Sequence, residues 1–491
     1  MTPQPVIAQV LARAGEAGGK TAIACGDRSL TYDELRRDIA IRASFLARQC
    51  AVAAGDRVVL LAESDEQFIA TYFAVHSLGA VCAPLDPRSP ADRLQAILQR
   101  LAPRLVVSAG DLPVPWREQA RFSELGAGAP PPAPAPAGHV SPEQTADILF
   151  TTGTTAEPKG VILSHGALAT ACGHINRFIG TRPDAVEVLP LSLSHSFGLG
   201  RMRCVLSLGA TLVPLPGFVN AARVTAALSD HRATGFASVP AGIAILLSDG
   251  DSLGRFADRL DYVEIGSSAM PIGQKRRLME LLPDTRLCMH YGLTEASRSA
   301  FLEFHADRDR LDSIGRPSPG VEMRVLDAAG QPAAAGETGQ LEVRGGHLMS
   351  GYWQDPELTA STLRGGWLRT GDLGRMGGDG CFYLEARADD VINVAGRKVL
   401  PREIEEILAQ HPAIADCACA GIPDPQGLSG EMIAVWVVPK QANGGRPAFS
   451  ELAKLLRQRL EPYKTPRKFF WIDRIPRTAG GKVLRRRLRE L

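Results

Sequence analysis

ILFTTGTTAEPKGVILSHG, residues Ile148 to Gly166, reads as strand, turn and strand. Ile148 to Phe150 is an apolar strand end. Thr151, Thr152, Gly153, Thr154 and Thr155 follow without a large side chain, and Pro158 and Lys159 precede a second apolar run, Val161 to Leu163. Such a loop offers backbone N–H groups and hydroxyls to phosphate oxygens, and Lys159 adds a cation. It is not a Walker A loop: counted from Gly153, Pro158 stands where the second glycine belongs and Gly160 where the Ser or Thr belongs. The alternative is a plain hydroxyl-rich turn between two strands.

Upstream of this stretch the chain alternates. A helix opens it, a strand pair follows near Thr21 to Ser29, and Thr31 with Glu34 fits a capping box at the next helix. DRVVLLAE, AVCAPLD and LVVS read as buried strands, and the helix between the first two is expected to turn Phe68, Tyr72, Phe73 and Val75 to one side. Strands alternating with helices of this length predict a mostly parallel sheet covered on both faces. GAGAPPPAPAPAGHV, Gly126 to Val140, is low-complexity and reads as an exposed loop rather than a domain boundary. VEVLPL, ATLVPL, GFASVP and CMHYG continue the alternation downstream.

The sharpest compositional break falls near Arg387, after which Pro401 opens a helix, ADCACAG and EMIAVWVVP give two strands, and SELAKLLRQRL gives a helix capped by Ser450. The expected fold is α/β: a large multi-layer N-terminal domain of sheets flanked by helices, residues 1–386, a hinge at 387–390, and a small mobile α+β C-terminal domain, 391–491. A net charge of +2 implies no broad nucleic-acid surface. Nine cysteines without a C-x-x-C pair, and no basic-then-apolar leader, point to reduced thiols in the cytoplasm. There is no apolar run of about 18 residues, so no membrane span is expected. The ten histidines form no zinc spacing.

A second Gly–Lys pair lies in PRTAGGKVLR, Pro476 to Arg485, and YGLTEAS and TGDLG lie between the two. Together they suggest an enzyme in which a carboxylate attacks ATP. Tyr291 suits stacking on a flat base. Glu295 suits Mg²⁺, which takes carboxylate oxygen together with substrate phosphates. Asp372, in a tight turn, suits a ribose. Taken singly, each also reads as structure: a buried tyrosine at a helix start, a turn aspartate, and, at Lys482, a solvated cation.

In combination, TTGTTAEPKG, YGLTE, TGD, GRKVLPREIEE and the terminal GK resemble the adenylate-forming superfamily, closest to AMP-forming acyl- and aryl-CoA ligases, over essentially the whole chain. The resemblance implies that Thr151, Thr152, Gly153, Thr154, Thr155 and Lys159 grip the phosphates, and that Gly266, Ser267 and Ser268 pass the adenine. It makes Tyr291 the stacking aromatic, Thr294 a phosphate contact, Glu295 the magnesium ligand, Asp372 the ribose ligand and Arg387 its neighbour. Asp389 becomes the hinge. Rotation there exchanges Lys482, the adenylation lysine, for the loop around Gly396, past which the thiol arm reaches the acyl-adenylate. The chain departs from the family pattern at Thr152 and at Ala156, where glycine is usual.

His195, in SLSHSFG, matches a histidine near the substrate carboxylate and thiol entry in CoA synthetases; by itself it reads as structural. SHSFG lacks the aspartate that grips an α-ammonium, and a buried cation without a partner is costly, so an α-amino acid is disfavoured. The expected pocket is His195, Phe197, Phe236, Ser238, Val239, Gly266, Met289, His290 and Ser299, which suits a flat aryl acid or a compact to medium acyl chain. Arg201 and Arg203 are odd in so apolar a stretch; one of them is expected to face a carboxylate elsewhere in the protein, and the alternative is a direct contact to a polar substituent on the acid. The cosubstrates implied are ATP, Mg²⁺ and CoA, in a monomer or homodimer. An acyl carrier protein is the alternative acceptor, and a nucleotide-binding regulator without catalysis is the reading the retained Lys482, Glu295 and Asp372 oppose.

Overall fold

The computed structural model describes residues 3–26, 28–61, 63–126, 140–151, 158–218, 220–250, 252–387, 390–394, 397–425, 431–440, 446–478 and 481–491. Two compact units divide the chain: residues 1–323 with 343–368, and residues 324–342 with 369–491. The break near Arg387 and the hinge expected at 387–390 fall within the second span. Asp389, like most of the low-complexity patch, lies outside the described residues.

The first unit holds two mixed sheets with parallel centres. One has nine strands in the spatial order Arg316–Pro317, Ala300–Glu303, Arg286–Tyr291, Tyr262–Ile265, Gly235–Ser238, Val186–Leu189, Thr211–Pro214, Thr21–Cys25 and Arg28–Thr31. Its antiparallel pairs are confined to the two ends. The other has seven, in the order Gly351–Tyr352, Lys159–Ser164, Thr145–Thr151, Val81–Leu85, Arg57–Leu61, Leu105–Ser108 and Gln119–Arg121. Thr145–Thr151 and Lys159–Ser164 form the hairpin read from the opening stretch. Thr31 caps the helix Tyr32–Arg48 in a full capping box with Glu34.

Two helices behave differently from simple amphipathic surface helices. Glu66–Ser77 is buried from Phe68 through His76, not on one side only, because protein covers it all round. Ser196–Leu208 is buried from Phe197 through Ser207. Successive residues turn about 100° on a helix, so Arg201 and Arg203 leave it in nearly opposite directions. Arg201 reaches Glu187 and Glu264 in the nine-stranded sheet, and Arg203 reaches Asp147 in the seven-stranded one. The helix is therefore pinned between the sheets by one arginine on each side.

The second unit contains a three-stranded sheet, Ile414–Pro423, Glu431–Pro439 and Lys468–Trp471. Cys417 and Cys419 face one core with Ile404, Leu408, Leu452 and Leu456 from the helices Pro401–Ala409 and Phe449–Arg457. Ala418, Ala420 and Trp436 face another with Leu488. Ser450 is not the cap of its helix. Ala448 holds that position and Ser450 lies in the first turn, because Phe449 joins the helix and packs on the core. All nine cysteines are free thiols. Among the described residues no helix is long and apolar enough to cross a membrane.

Candidate active site

At the end of the hairpin's paired strands, Thr151 pairs directly with Lys159. Thr152, Gly153, Thr154, Thr155 and Ala156 lie outside the described residues. Beside this hairpin the short strand Gly351–Tyr352 pairs Tyr352 with Val161. The Tyr352 hydroxyl donates to Glu295 Oε1 at 2.9 Å, and the Met349 N–H donates to the Glu295 carbonyl at 2.8 Å. Glu295 is thus held next to the strand that begins at Lys159. With Oε1 taken by Tyr352, Glu295 has the carboxylate chemistry that Mg²⁺ takes together with nucleotide phosphates. A dedicated protein cage is a different arrangement, and no cluster of three or more His, Cys, Asp or Glu suited to a metal occurs among the described residues. Tyr352 was not singled out in the sequence; nothing local to it signals its partner.

Below the segment Gly266, Ser267 and Ser268 the nine-stranded sheet carries charge. Glu264 pairs in register with Ala237, and Glu187 with Gly235, so both carboxylates rise from one face with only small residues between them. Arg201 Nε lies 3.0 Å from Glu187 Oε1 and 3.2 Å from Glu264 Oε2, and Tyr262 donates to Glu187 at 2.5 Å. Arg298 Nε donates to Glu264 Oε1 at 3.1 Å, and its remaining nitrogens reach the Ser196 and Phe197 carbonyls and Ser297 Oγ. Burial opposes ionisation of Glu264, but Arg298, the His290 contact and Arg201 outweigh it and hold the carboxyl well below the usual range. Two backbones here occupy the left-handed region, Ser267 at φ +82° and Arg298 at φ +55°, a strain that well-determined sites retain.

His290 belongs to this cluster. It shares its sheet face with Cys288, which pairs with Glu264. Its Nδ1 lies 2.8 Å from Glu264 Oε1, and its ring meets Phe197 at 4.6 Å and 89°. Burial, then Arg298, push its pKa below the ordinary value against the pull of Glu264, which leaves it neutral. Met289 and Phe236 face the other side of the sheet and pack with the second core, so the structure does not bring them to His290. Ser238 and Ser299 are fully buried; Ser299 Oγ is engaged with the Ala296 carbonyl and His347 Nε2. Val239 is half-buried and precedes the helix Pro240–Ser248. Tyr291 is buried, Thr294 half-buried, Ser268 half-buried and Ser267 exposed. His195 is exposed just before the helix Ser196–Leu208, without a side-chain cap. Crowding by protein holds its pKa below the ordinary value; Asp86 opposes this and Arg93 and Arg88 reinforce it.

In the second unit, Asp372 and Arg387 face each other in the hairpin register, with Arg387 Nε 3.3 Å from Asp372 Oδ1. The preceding Gly371 has φ +72°, a conformation glycine adopts without the strain a side chain brings. Thr370 Oγ1 closes the turn by accepting from the Asp372 N–H at 3.1 Å. Lys482 is exposed, in a turn where its N–H meets Thr478 Oγ1 at 3.2 Å and its carbonyl accepts from the Thr478 N–H at 2.8 Å. Gly396 lies outside the described residues. Arg485 is committed to Glu405, Asp390 and the Cys419 carbonyl, whereas Arg486 and Arg487 are exposed.

Residues 10–353 match the AMP-binding enzyme family, and residues 403–482 match the AMP-binding enzyme C-terminal domain. The chain belongs to the AMP-forming acyl- and aryl-CoA ligases of the adenylate-forming superfamily. As a member of it, the protein is an AMP-forming, ATP-dependent carboxylate–CoA ligase. It is 30% identical over 479 residues to a feruloyl-CoA synthase from an Amycolatopsis species, covering 96% of this chain and 95% of that one. It is 31% identical to a 3-hydroxybenzoate–CoA/4-hydroxybenzoate–CoA ligase from Thauera aromatica, covering 96% and 94%. Among solved structures it is similar to ATP-bound MatB from Rhodopseudomonas palustris, with a TM-score of 0.90, 25% identity, and 99% and 98% of the chains covered.

Proposed function

We propose that this ligase activates an aryl or otherwise compact acid. Acid and ATP give acyl-AMP and diphosphate; acyl-AMP and CoA then give acyl-CoA and AMP. The observation that carries the substrate reading is the perpendicular pair of Phe197 and His290 rings at 4.6 Å, set over a Glu264 that two guanidiniums already neutralise. The flat Phe197 ring favours an aromatic neighbour. An α-ammonium finds no counter-charge, because Glu264 is committed to Arg201, Arg298 and His290. The aryl acids of the Amycolatopsis and Thauera relatives support the same reading.

In this proposal Lys159, with the Thr151–Thr155 turn, holds polyphosphate, and Glu295 with phosphate oxygens holds Mg²⁺, which neutralises phosphate charge. Gly266 to Ser268, Tyr291 and Thr294 line the nucleotide, while Asp372 and Arg387 take the ribose. Lys482 supplies charge as the carboxylate meets the α-phosphate. Asp389 is the hinge for exchange between the two half-reactions, and His195 stands near the carboxylate and thiol. The test is Lys482→Ala. Pyrophosphate exchange should fall by about 10²-fold or more, the scale of one lost electrostatic contact. Thioester formation from supplied acyl-adenylate should persist, and equal loss of both half-reactions defeats the assignment. Running CoA and a phosphopantetheinyl carrier protein side by side, with the acylated thiol followed by mass, measures whether a carrier protein can replace CoA.

A further inference from the structure

We propose that His290 determines specificity: its Nε2 accepts a hydrogen bond from a neutral ring hydroxyl of a compact aromatic acid. This rests on the compact-aryl reading above and deepens it.

The imidazole is asymmetric in its surroundings. Nδ1 is sealed from solvent and lies 2.8 Å from Glu264 Oε1, a charge contact rather than an aligned hydrogen bond, and a lone pair facing that carboxylate would be repelled. Nε2 has no protein partner among the described residues and, unlike Nδ1, is not sealed, although the side chain as a whole is only 8% exposed. Glu264 stays a carboxylate because Arg298 and Arg201 also hold it. A carboxylate accepts and cannot donate, so the ring proton belongs on Nδ1 and the lone pair on Nε2. What remains open is therefore an acceptor.

Space at that edge depends on residue 266. A Cβ there would sit 2.0 Å from His290 Cε1 and 2.1 Å from Nε2, which no side chain tolerates. Phe197 stands perpendicular to the ring at 4.6 Å, so an aromatic side chain adjoins the imidazole. Charge selects the donor. A cationic group would approach beside Arg298, whose guanidinium lies 4.8 Å from the Phe197 ring centre, and an anionic group has nothing to donate to Nε2. A neutral hydroxyl meets both conditions. An acid without one leaves a nearly buried acceptor unpaired, and sites built to hydrogen-bond a hydroxyl reject the analogue lacking it strongly.

The experiment compares matched acids on the full chain: benzoate with its three monohydroxy isomers, and cinnamate with its hydroxylated forms. The readout is kcat/KM for pyrophosphate release in the wild type, His290→Leu and His290→Gln. In the wild type, one hydroxylated isomer should exceed its parent by about 10²-fold or more. The ratio should collapse towards one in H290L and recover in part in H290Q, whose amide oxygen accepts. A wild-type ratio near one overturns the proposal without any variant, as does a ratio that survives in H290L. Turnover of parent and hydroxylated acids alike leaves the compact-aryl reading standing and removes only this one. Turnover confined to long aliphatic acids removes both.

Discussion

Arg201 and Arg203 leave the same helix two residues apart and end in two buried charge networks of opposite character. Arg203 meets Asp147 at 2.8 Å; Tyr72 donates to Asp147 at 2.9 Å, and His76 lies 3.0 Å from it. His165 closes this group, its ring 4.9 Å from that of His76. Every side chain in it is sealed within the protein. Arg201 meets Glu187 and Glu264, and this second network continues through Arg298 to His290, which keeps one edge open. Both networks satisfy charges taken out of water, which costs several kcal/mol per ion unless paired and hydrogen-bonded. The difference teaches that the same device serves two ends. At Asp147 it fastens the strand Thr145–Thr151; at His290, in the proposal above, it fixes a tautomer and so aims an acceptor.

The largest effect comes from removing the carboxylates. Asp147→Ala and Glu264→Ala each leave arginine charge buried and unpaired, with an expected loss of about 3–5 kcal/mol in urea unfolding. Only E264A should also flatten the hydroxy-acid ratio, and a D147A protein that loses the ratio as well would break the division of labour. Packing comes next. A Cβ on Gly200 would fall 2.4 Å from Arg298 Nη1, so Gly200→Ala should cost about 1–3 kcal/mol. Gly173, on the helix begun by His165, has nothing within 4 Å of such a Cβ, and Gly173→Ala should instead stabilise by about 0.5–1 kcal/mol. Opposite signs in two melts confirm the contrast.

Acid separates the networks further. Burial, then His76, push the His165 pKa down to about 3, against the pull of Asp147. Its folded pKa lies below the ordinary value, so the unfolded chain binds the proton first. Stability is fully present above about pH 6.5 and falls with pH towards 3, by up to about 1.4 kcal/mol per pH unit. Urea midpoints at pH 7 and pH 5 should differ more for the wild type than for His165→Gln; an equal difference rules out this titration as the cause. Tyr72→Phe should cost only about 1 kcal/mol, the smallest loss expected in either network, since Arg203 and His76 still serve Asp147.

Much of this was legible before any coordinates. The two strands within Ile148 to Gly166, the capping box at Thr31 and the alternating strands are local properties: side-chain period and caps act over a few residues. The family motifs are local too, and their order along the chain carried the reading of an adenylate-forming ligase. The sequence also marked Arg201 and Arg203 as out of place in an apolar stretch, with a carboxylate expected for one of them. It did not say which, although Asp147, Glu187 and Glu264 each stand alone inside an apolar strand, a signal that buried partners exist.

Only the tertiary structure decided those partners. Strand register put Glu187 and Glu264 on one face with Gly235 and Ala237 between them, and sent Phe236 and Met289 to the other. A one-residue shift would have exchanged the faces. The Tyr352 hold on Glu295 likewise joins residues 57 apart in the chain. Motifs are short because the backbone contacts they make are short-ranged. Which side chain completes a charge, and which edge of a histidine stays open, depends on pairing between distant strands, and no local pattern encodes that.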